Sequence, residues 1–345
     1  MSSPEVGVRA PTMTGIRQGI AAAGGDAEQV FRRAGLDLEQ VMDPSRWIHQ
    51  EQYRRVLELA GEATGDDCFG LHVGESFDLR NYGILGYATL NCATLEEAAS
   101  SLVRYFGVMR KGSRFTLKVE GETACIRFHT VTGSPEMPRH EAELALARLC
   151  KGIRNLVGQD WTPQRVHFAH HRETDLAEHE RFFGVAARFG MDANRVVLAR
   201  ADLQRRIRTA DRRLYQILKH RLEALLPDRA EDDLVIKVRE EVAEALVEGA
   251  ALNLVARRLG LGARTLQRRL RDRGLAYNDI VEQVRQEESF RHLRHDVLQI
   301  SEIAARLGYS EVSAFDRAFR RWSGTSPLAF RQEARRGALD QPGPR

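Results

Sequence analysis

Two hydrophobic periods divide the chain. Between residues 14 and 60 the apolar positions recur at helical spacing, with Gly24-Gly25 and Gly35 as breakers between short amphipathic segments. Residues 61–86 are glycine-rich and are expected to be irregular. Leu95, Ala98, Ala99, Leu102, Val103 and Phe106 then trace one face of a helix, and Thr94 and Glu97 stand at capping-box spacing before it. The period changes to two at Phe115, Leu117 and Val119. It continues at Ala124, Ile126 and Phe128 after Gly121-Glu122, which is the pattern of a β-hairpin. A helix is predicted over about 140–157, with Leu146, Leu149, Cys150, Ile153 and Val157 on one face, and short strands at 166–169 and 195–198. From Val235 onward only helical spacing remains. The expected fold class is an α+β N-terminal regulatory domain followed by an all-α C-terminal domain with two helix-turn-helix units.

Between them lies a highly charged segment in which Tyr215, Leu218, Leu222 and Leu225 occupy the a and d positions of two heptads. This is read as a helical linker over 209–234, with two alternatives: self-association into a homodimer, or an amphipathic helix packed on its own domain. Pro227-Asp228 and the acidic Glu231-Asp232-Asp233 mark its end. The domain limits that follow are 1–208, 209–234 and 235–337, with 338–345 as a disordered tail.

The C-terminal part repeats itself. Val255-Ala256-Arg257-Arg258-Leu259-Gly260-Leu261-Gly262 recurs 48 residues later as Ile303-Ala304-Ala305-Arg306-Leu307-Gly308-Tyr309-Ser310. Each copy reads as a short helix, a glycine turn and a second amphipathic helix, the geometry that can place that second helix in a major groove. Leu266 and Leu270 face inward in the first copy; Phe315, Ala318, Phe319 and Trp322 do so in the second. Gly274 and Gly324 are expected to end the second helices. A segment from Tyr277 to Leu293, with Tyr277, Ile280, Val281 and Val284 inward, is expected to be a stiff helical spacer.

The faces left outward carry Arg264, Thr265, Gln267, Arg268 and Arg271 in the first copy, and Ser313, Asp316, Arg317, Arg320 and Arg321 in the second. Arginine can fork onto guanine and glutamine onto adenine, so these are the candidate DNA-binding residues. Charge agrees. Residues 237–336 hold 19 Lys and Arg against 14 Asp and Glu, and the remainder holds 33 against 34, so the net charge of +4 originates in the C-terminal part. Arg320, Arg321 and Arg331 are assigned to phosphates.

Little else carries chemistry. Apolar residues make up 43% of the 345 positions and charged ones 29%, and no apolar run approaches the ~20 residues of a membrane span. With no secretory signal at the N-terminus, the expected location is the cytoplasm, with no membrane partner. Cys68, Cys92, Cys125 and Cys150 form no Cys-x-x-Cys pair and read as buried free thiols. No phosphate-cradling, dinucleotide, zinc-protease or nucleophile-elbow motif is present, so no catalytic residue and no cofactor is assigned. His167, His170, His171 and His179 cluster, and His292 and His295 are three apart. Neither set has recurrent ligand spacing, so no metal site is assigned. The rival reading of the repeat as a purely structural element of a binding protein is opposed by its outward arginines.

The stretch from Ile300 through Tyr309-Ser310, then Phe315, Ala318-Phe319-Arg320-Arg321-Trp322, Gly324 and Ser326-Pro327, resembles the signature of the AraC/XylS family of transcription regulators. Tyr82-Gly83-Ile84-Leu85-Gly86-Tyr87-Ala88, Thr94-Leu95, Arg104-Tyr105 and Phe182-Phe183-Gly184-Val185 are similar to one regulatory-domain type of that family, the one labelled arabinose-binding. The resemblance implies a cytoplasmic regulator, typically an activator, with double-stranded DNA, RNA polymerase and a small-molecule effector as partners. It also implies base contacts by Arg264, Gln267, Arg268, Ser313 and Arg317. Gly262 departs from the family, which often has a side-chain cap at that position. Ligand-binding residues are not assigned; Tyr82, Tyr87, Phe106 and Phe128 read as core or as pocket walls.

Overall fold

The computed structural model describes residues 6–130, 137–172, 176–191, 193–226, 229–272, 275–295 and 298–332. The chain divides into two units, 1–227 and 228–345. The tail expected at 338–345 lies outside the described residues.

The first unit is α+β, as its two hydrophobic periods predict. It opens with β1 (Gly7–Arg9), α1 (Met13–Ala22), α2 (Ala27–Arg33), α3 (Leu38–Met42), β2 (Trp47–His49), α4 (Gln50–Thr64), α5 (Phe69–Glu75), α6 (Ile84–Leu90) and α7 (Leu95–Tyr105). It continues with β3 (Arg110–Lys111), β4 (Ser113–Glu120), β5 (Thr123–Thr130), α8 (Arg139–Val157), β6 (Arg165–His167), α9 (Leu176–Phe183), β7 (Ala187–Arg188), β8 (Asn194–Ala199) and α10 (Arg212–Leu225). A small sheet runs β2-β1-β3 and a larger one β4-β5-β8-β6-β7. The hairpin has the expected register: Phe115 faces Phe128, Leu117 faces Ile126 and Val119 faces Ala124. Alternation puts Phe115, Ala124, Ile126 and Phe128 on the buried face.

Three local readings change in the structure. Residues 61–86 are largely helical, not irregular, and their glycines serve close approach. A Cβ on Gly70 would stand 2.2 Å from the His140 carbonyl oxygen, and one on Gly74 would stand 2.3 Å from the Ala147 Cβ. These positions let α5 lie directly against α8. The second change is α8 itself, which is buried nearly all round rather than on one face. Its charges are compensated in place. Glu141 accepts from Gln50, Arg54 and Arg110. Glu143 lies at ion-pair distance from His170, His179 and Arg172. Burial alone would raise the Glu143 pKa, but the two histidines hold it down at about 2. The third is the helix start at Thr94. Its hydroxyl accepts from the Glu97 N–H, but the Glu97 carboxylate accepts from Ala93 N–H instead of closing the box on Thr94.

Helix α10 packs on α6 of its own unit, burying Tyr215 and Leu222. Leu225 is exposed, as are Leu214 and Ile217. The Glu231-Asp232-Asp233 run lies within a helix of the second unit. That unit is all-α: α11 (Arg229–Ala245), α12 (Leu252–Arg258), α13 (Ala263–Arg271), α14 (Tyr277–His295), α15 (Ile300–Arg306) and α16 (Val312–Ser323).

None of the four cysteines forms a disulfide; Cys68, Cys92 and Cys150 are buried and Cys125 is half-buried. Burial pushes the Cys68 thiol up to about 11 and those of Cys92 and Cys150 up to about 12.

Candidate nucleic-acid interface

The two copies of the repeat fold with the same bonds. In the first, the Gly260 N–H donates to the Arg257 carbonyl at 3.0 Å and the Leu261 N–H to the Ala256 carbonyl at 2.8 Å. In the second, the Gly308 N–H donates to Ala305 at 3.0 Å and the Tyr309 N–H to Ala304 at 2.9 Å. This is the Schellman closure of a helix end. It requires a left-handed residue, which Gly260 (φ 67°) and Gly308 (φ 76°) supply. Val255 and Ala256, like Ile303 and Ala304, are buried under the following helix. Each copy is thus a two-helix corner: α12 turning into α13, and α15 turning into α16.

The second helix of each pair sorts its residues by face. In α13, Leu266 and Leu270 are buried while Arg264, Gln267, Arg268 and Arg271 are exposed and Thr265 is half-buried. In α16, Phe315, Ala318 and Phe319 are buried while Ser313, Arg317, Arg320 and Arg321 are exposed and Asp316 is half-buried. Trp322 is half-buried rather than a core residue, with the Arg321 guanidinium 5.9 Å from its ring centre. Neither helix has a side-chain cap: Gly262 precedes α13 and Glu311 precedes α16. Gly324 closes α16 in the left-handed conformation, whereas Gly274 lies outside the described residues.

Ion pairing divides the outward arginines. Arg320 is bonded to Asp316 at 2.8 Å, and Arg321 to Glu282 of α14 at 2.9 Å. Among the described residues Arg264, Arg268, Arg271 and Arg317 form no ion pair, so their charges are open to solvent or to a polyanion. Arg331, assigned to phosphate from its position in the sequence, is buried and donates to the Leu298 carbonyl at 2.7 Å; it ties the end of the unit together.

Helix α14 buries Tyr277, Ile280, Val281 and Val284, as its pattern predicts, and also Ser289, His292 and Leu293. It does more than hold two heads apart. The Tyr277 hydroxyl donates to the Ala250 carbonyl, Arg239 of α11 bonds to Gln283 and Glu287, and Arg285 donates to the Leu307 carbonyl at the second turn. These bonds seat both heads on α11 and α14. No sequence period signals them: a backbone carbonyl as partner leaves no trace in the side-chain pattern, and Arg239 meets Gln283 and Glu287 on another helix, far along the chain.

A helix-turn-helix family matches residues 255–333, and a family described as the arabinose-binding domain of AraC transcription regulator, N-terminal, matches residues 24–207. This chain belongs to the AraC family of transcription regulators. Like other AraC-family chains it is a helix-turn-helix DNA-binding regulator with a distinct N-terminal domain. It is 26% identical to the ornithine utilization regulator of Pseudomonas aeruginosa over 314 residues, 91% of this chain and 93% of that protein. It is 27% identical to the transcriptional regulator VirS of Mycobacterium tuberculosis over 328 residues, 94% of this chain and 96% of that protein. The crystal structure of the transcriptional regulator CdpR from Pseudomonas aeruginosa is 24% identical, with a TM-score of 0.41, covering 89% of this chain and 98% of that one.

Among the described residues of this AraC-family chain no group of three or more His, Cys, Asp or Glu side chains could hold an ion. His170 and His179 are used on Glu143 instead. No described helix is long and apolar enough to cross a membrane. Of the four aromatic residues read as core or pocket walls, Tyr82, Phe106 and Phe128 are buried, and Tyr87 is 48% exposed.

Proposed function

We propose that α13 and α16 read two successive major-groove segments of one DNA site. Arg264, Gln267 and Arg268 contact bases from the first head, and Ser313 and Arg317 from the second. Thr265, Arg271, Arg320 and Arg321 hold the backbone, and Asp316 orients Arg320. The observation that carries this reading is the free charge of Arg264, Arg268 and Arg317 on two helices built with identical turns. Arginine is the residue best matched to guanine in the major groove, and an unpaired one pays no ion-pair breakage on binding.

The N-terminal domain, residues 1–208 with α10 behind it, then binds a small-molecule effector that controls transcription with RNA polymerase at the promoter. The chain is a regulator rather than a catalyst. Leu214, Ile217 and Leu225 on the open side of α10 form the contact for a second copy. The test is fluorescence anisotropy of the full chain on the DNA upstream of its own operon, with salt varied. Specific binding that weakens steeply with salt supports the reading through counterion release; equal affinity for unrelated DNA refutes it.

A further inference from the structure

Four arginines of the first unit are buried among its described residues: Arg110, Arg148, Arg154 and Arg172. A buried guanidinium is costly unless its charge and its N–H groups are satisfied. Arg110 has Glu141, Arg172 has Glu143 and Asp67, and Arg154 donates to the carbonyls of Trp161 and Phe183. Arg148 differs. It is 8% exposed; like Arg154 it pairs with no carboxylate among the described residues, but unlike Arg154 its Nε has no hydrogen-bond partner there. It has one carbonyl, that of Thr12 at 3.3 Å, and the face of Phe77 at 5.4 Å, and it shares the wall of a cavity with Tyr82.

That cavity is a narrow cleft of about 40 Å³ between α6, α7, α8 and the β4–β5 hairpin. Leu95, Ala98, Phe115, Ile126, Leu149 and Ile153 supply apolar walls. Thr89, the remaining polar side chain besides Tyr82, already donates its hydroxyl to Leu85 of its own helix. Leu102 is the one lining residue that is not buried, which places the mouth at α7. The cavity therefore combines an unneutralised cation, one phenol and a long apolar wall. A sugar would leave its hydroxyls without partners there, and an ammonium group would meet Arg148 as a like charge.

We propose that this cavity binds an organic monocarboxylate with a slender apolar body, its carboxylate on Arg148 and Tyr82 and its body between α7, α8 and the hairpin. The assignment rests on the effector role given to this domain above and names the effector's chemical class. The carboxylate supplies the counter-charge that the fold omits, and the walls exclude water from the pair.

The test is thermal unfolding of the full chain with octanoate and decanoate, against 1-octanol, octylamine and ornithine. A ligand that binds only the folded state raises the melting temperature in a saturable way. Octanoate or decanoate should do so, and the three controls should not. Arg148→Met removes an uncompensated buried charge, so the free variant should melt at or above the parent while losing the carboxylate shift. A residue with a merely structural role would lower the melting temperature of the free protein instead. Should Arg148→Met fail to fold, Leu102→Trp decides, because it fills the mouth and leaves Arg148 intact; it must abolish the shift. Equal shifts from octanoate and octanol, a shift retained in either folded variant, or silence from both acids overturns the proposal. Anisotropy on the promoter is measured in parallel. Loss of DNA recognition alone would refute the regulator reading, and carboxylate silence with DNA recognition intact would refute this inference alone.

Discussion

Gly308 lies so close to Leu246 that a Cβ on it would stand 2.1 Å from the Leu246 carbonyl oxygen. The equivalent glycine of the first copy, Gly260, has open space at that position. The two turns have similar left-handed φ values and the same bonds, so their tolerance to substitution separates backbone strain from packing. Gly260→Ala should cost about 1–2 kcal/mol, the penalty of a left-handed L-residue. Gly308→Ala should add an overpacking cost of ~1–3 kcal/mol to that. Urea unfolding of the two variants checks the order; equal losses would show that the second turn yields at Leu246.

Arg268→Ala and Arg317→Ala should each weaken binding to the true site by ~1–3 kcal/mol and relax preference at one base pair. Arg321 is engaged by Glu282, so Arg321→Ala should weaken all sequences about evenly and by less. Binding to a library of single-base variants measures both. An unchanged preferred sequence in Arg268→Ala and Arg317→Ala would remove these residues from the groove.

Spacing gives an independent check. Two heads on one face of DNA enter grooves about 34 Å apart, so one chain should protect an asymmetric site of roughly 17–20 base pairs. Five base pairs inserted between the halves of the site turn the second half to the far side. Affinity should then fall to that of a single head. A footprint that survives the insertion would leave one copy of the repeat without a reading role.

Stability of the first unit should fall in mild acid because of His129. Burial, with the positive charges of Arg127 and Arg114, pushes its pKa down to about 3. The ring lies 2.9 Å from the Thr116 hydroxyl, across from Arg114 in the hairpin register. Between pH 6.5 and 3 the unfolded chain therefore binds a proton that the folded chain refuses, and stability drops as pH falls. From pH 7 to 5 this amounts to about 1–2 kcal/mol. His129→Gln should flatten that slope in urea midpoints taken at the two values; an unaltered slope would assign it to other groups.

What the sequence made legible follows from what side chains alone can encode. The hairpin at Phe115–Phe128 and the repeat at Val255 and Ile303 were readable because one face is buried and the other is not, so the period shows in residue type. Helix α8 reads as one-faced in the sequence because Glu141 and Glu143, with Arg148, look like a solvated side; only the fold supplies the cations on other elements that pair with the two carboxylates. Residues 61–86 read as irregular because a glycine that admits a neighbouring helix looks the same in sequence as one that breaks its own. The outward set on α13 and α16 was legible as a set. The pairing of Arg321 with Glu282 and the burial of Arg331 were not, since both depend on how α14 and the chain end come back onto α16.

The four thiols have a practical consequence. Three are buried and so weakly acidic that almost none is thiolate at neutral pH, and thiolate is the form that reacts with maleimides. Only Cys125 is even half-open. The native chain is therefore close to a silent background for dye attachment. Cysteines placed by Gln267→Cys and Ser313→Cys can carry a donor and an acceptor without stripping the protein of its own sulfur. Energy transfer between them would then report the distance between the two heads directly, on DNA and off it.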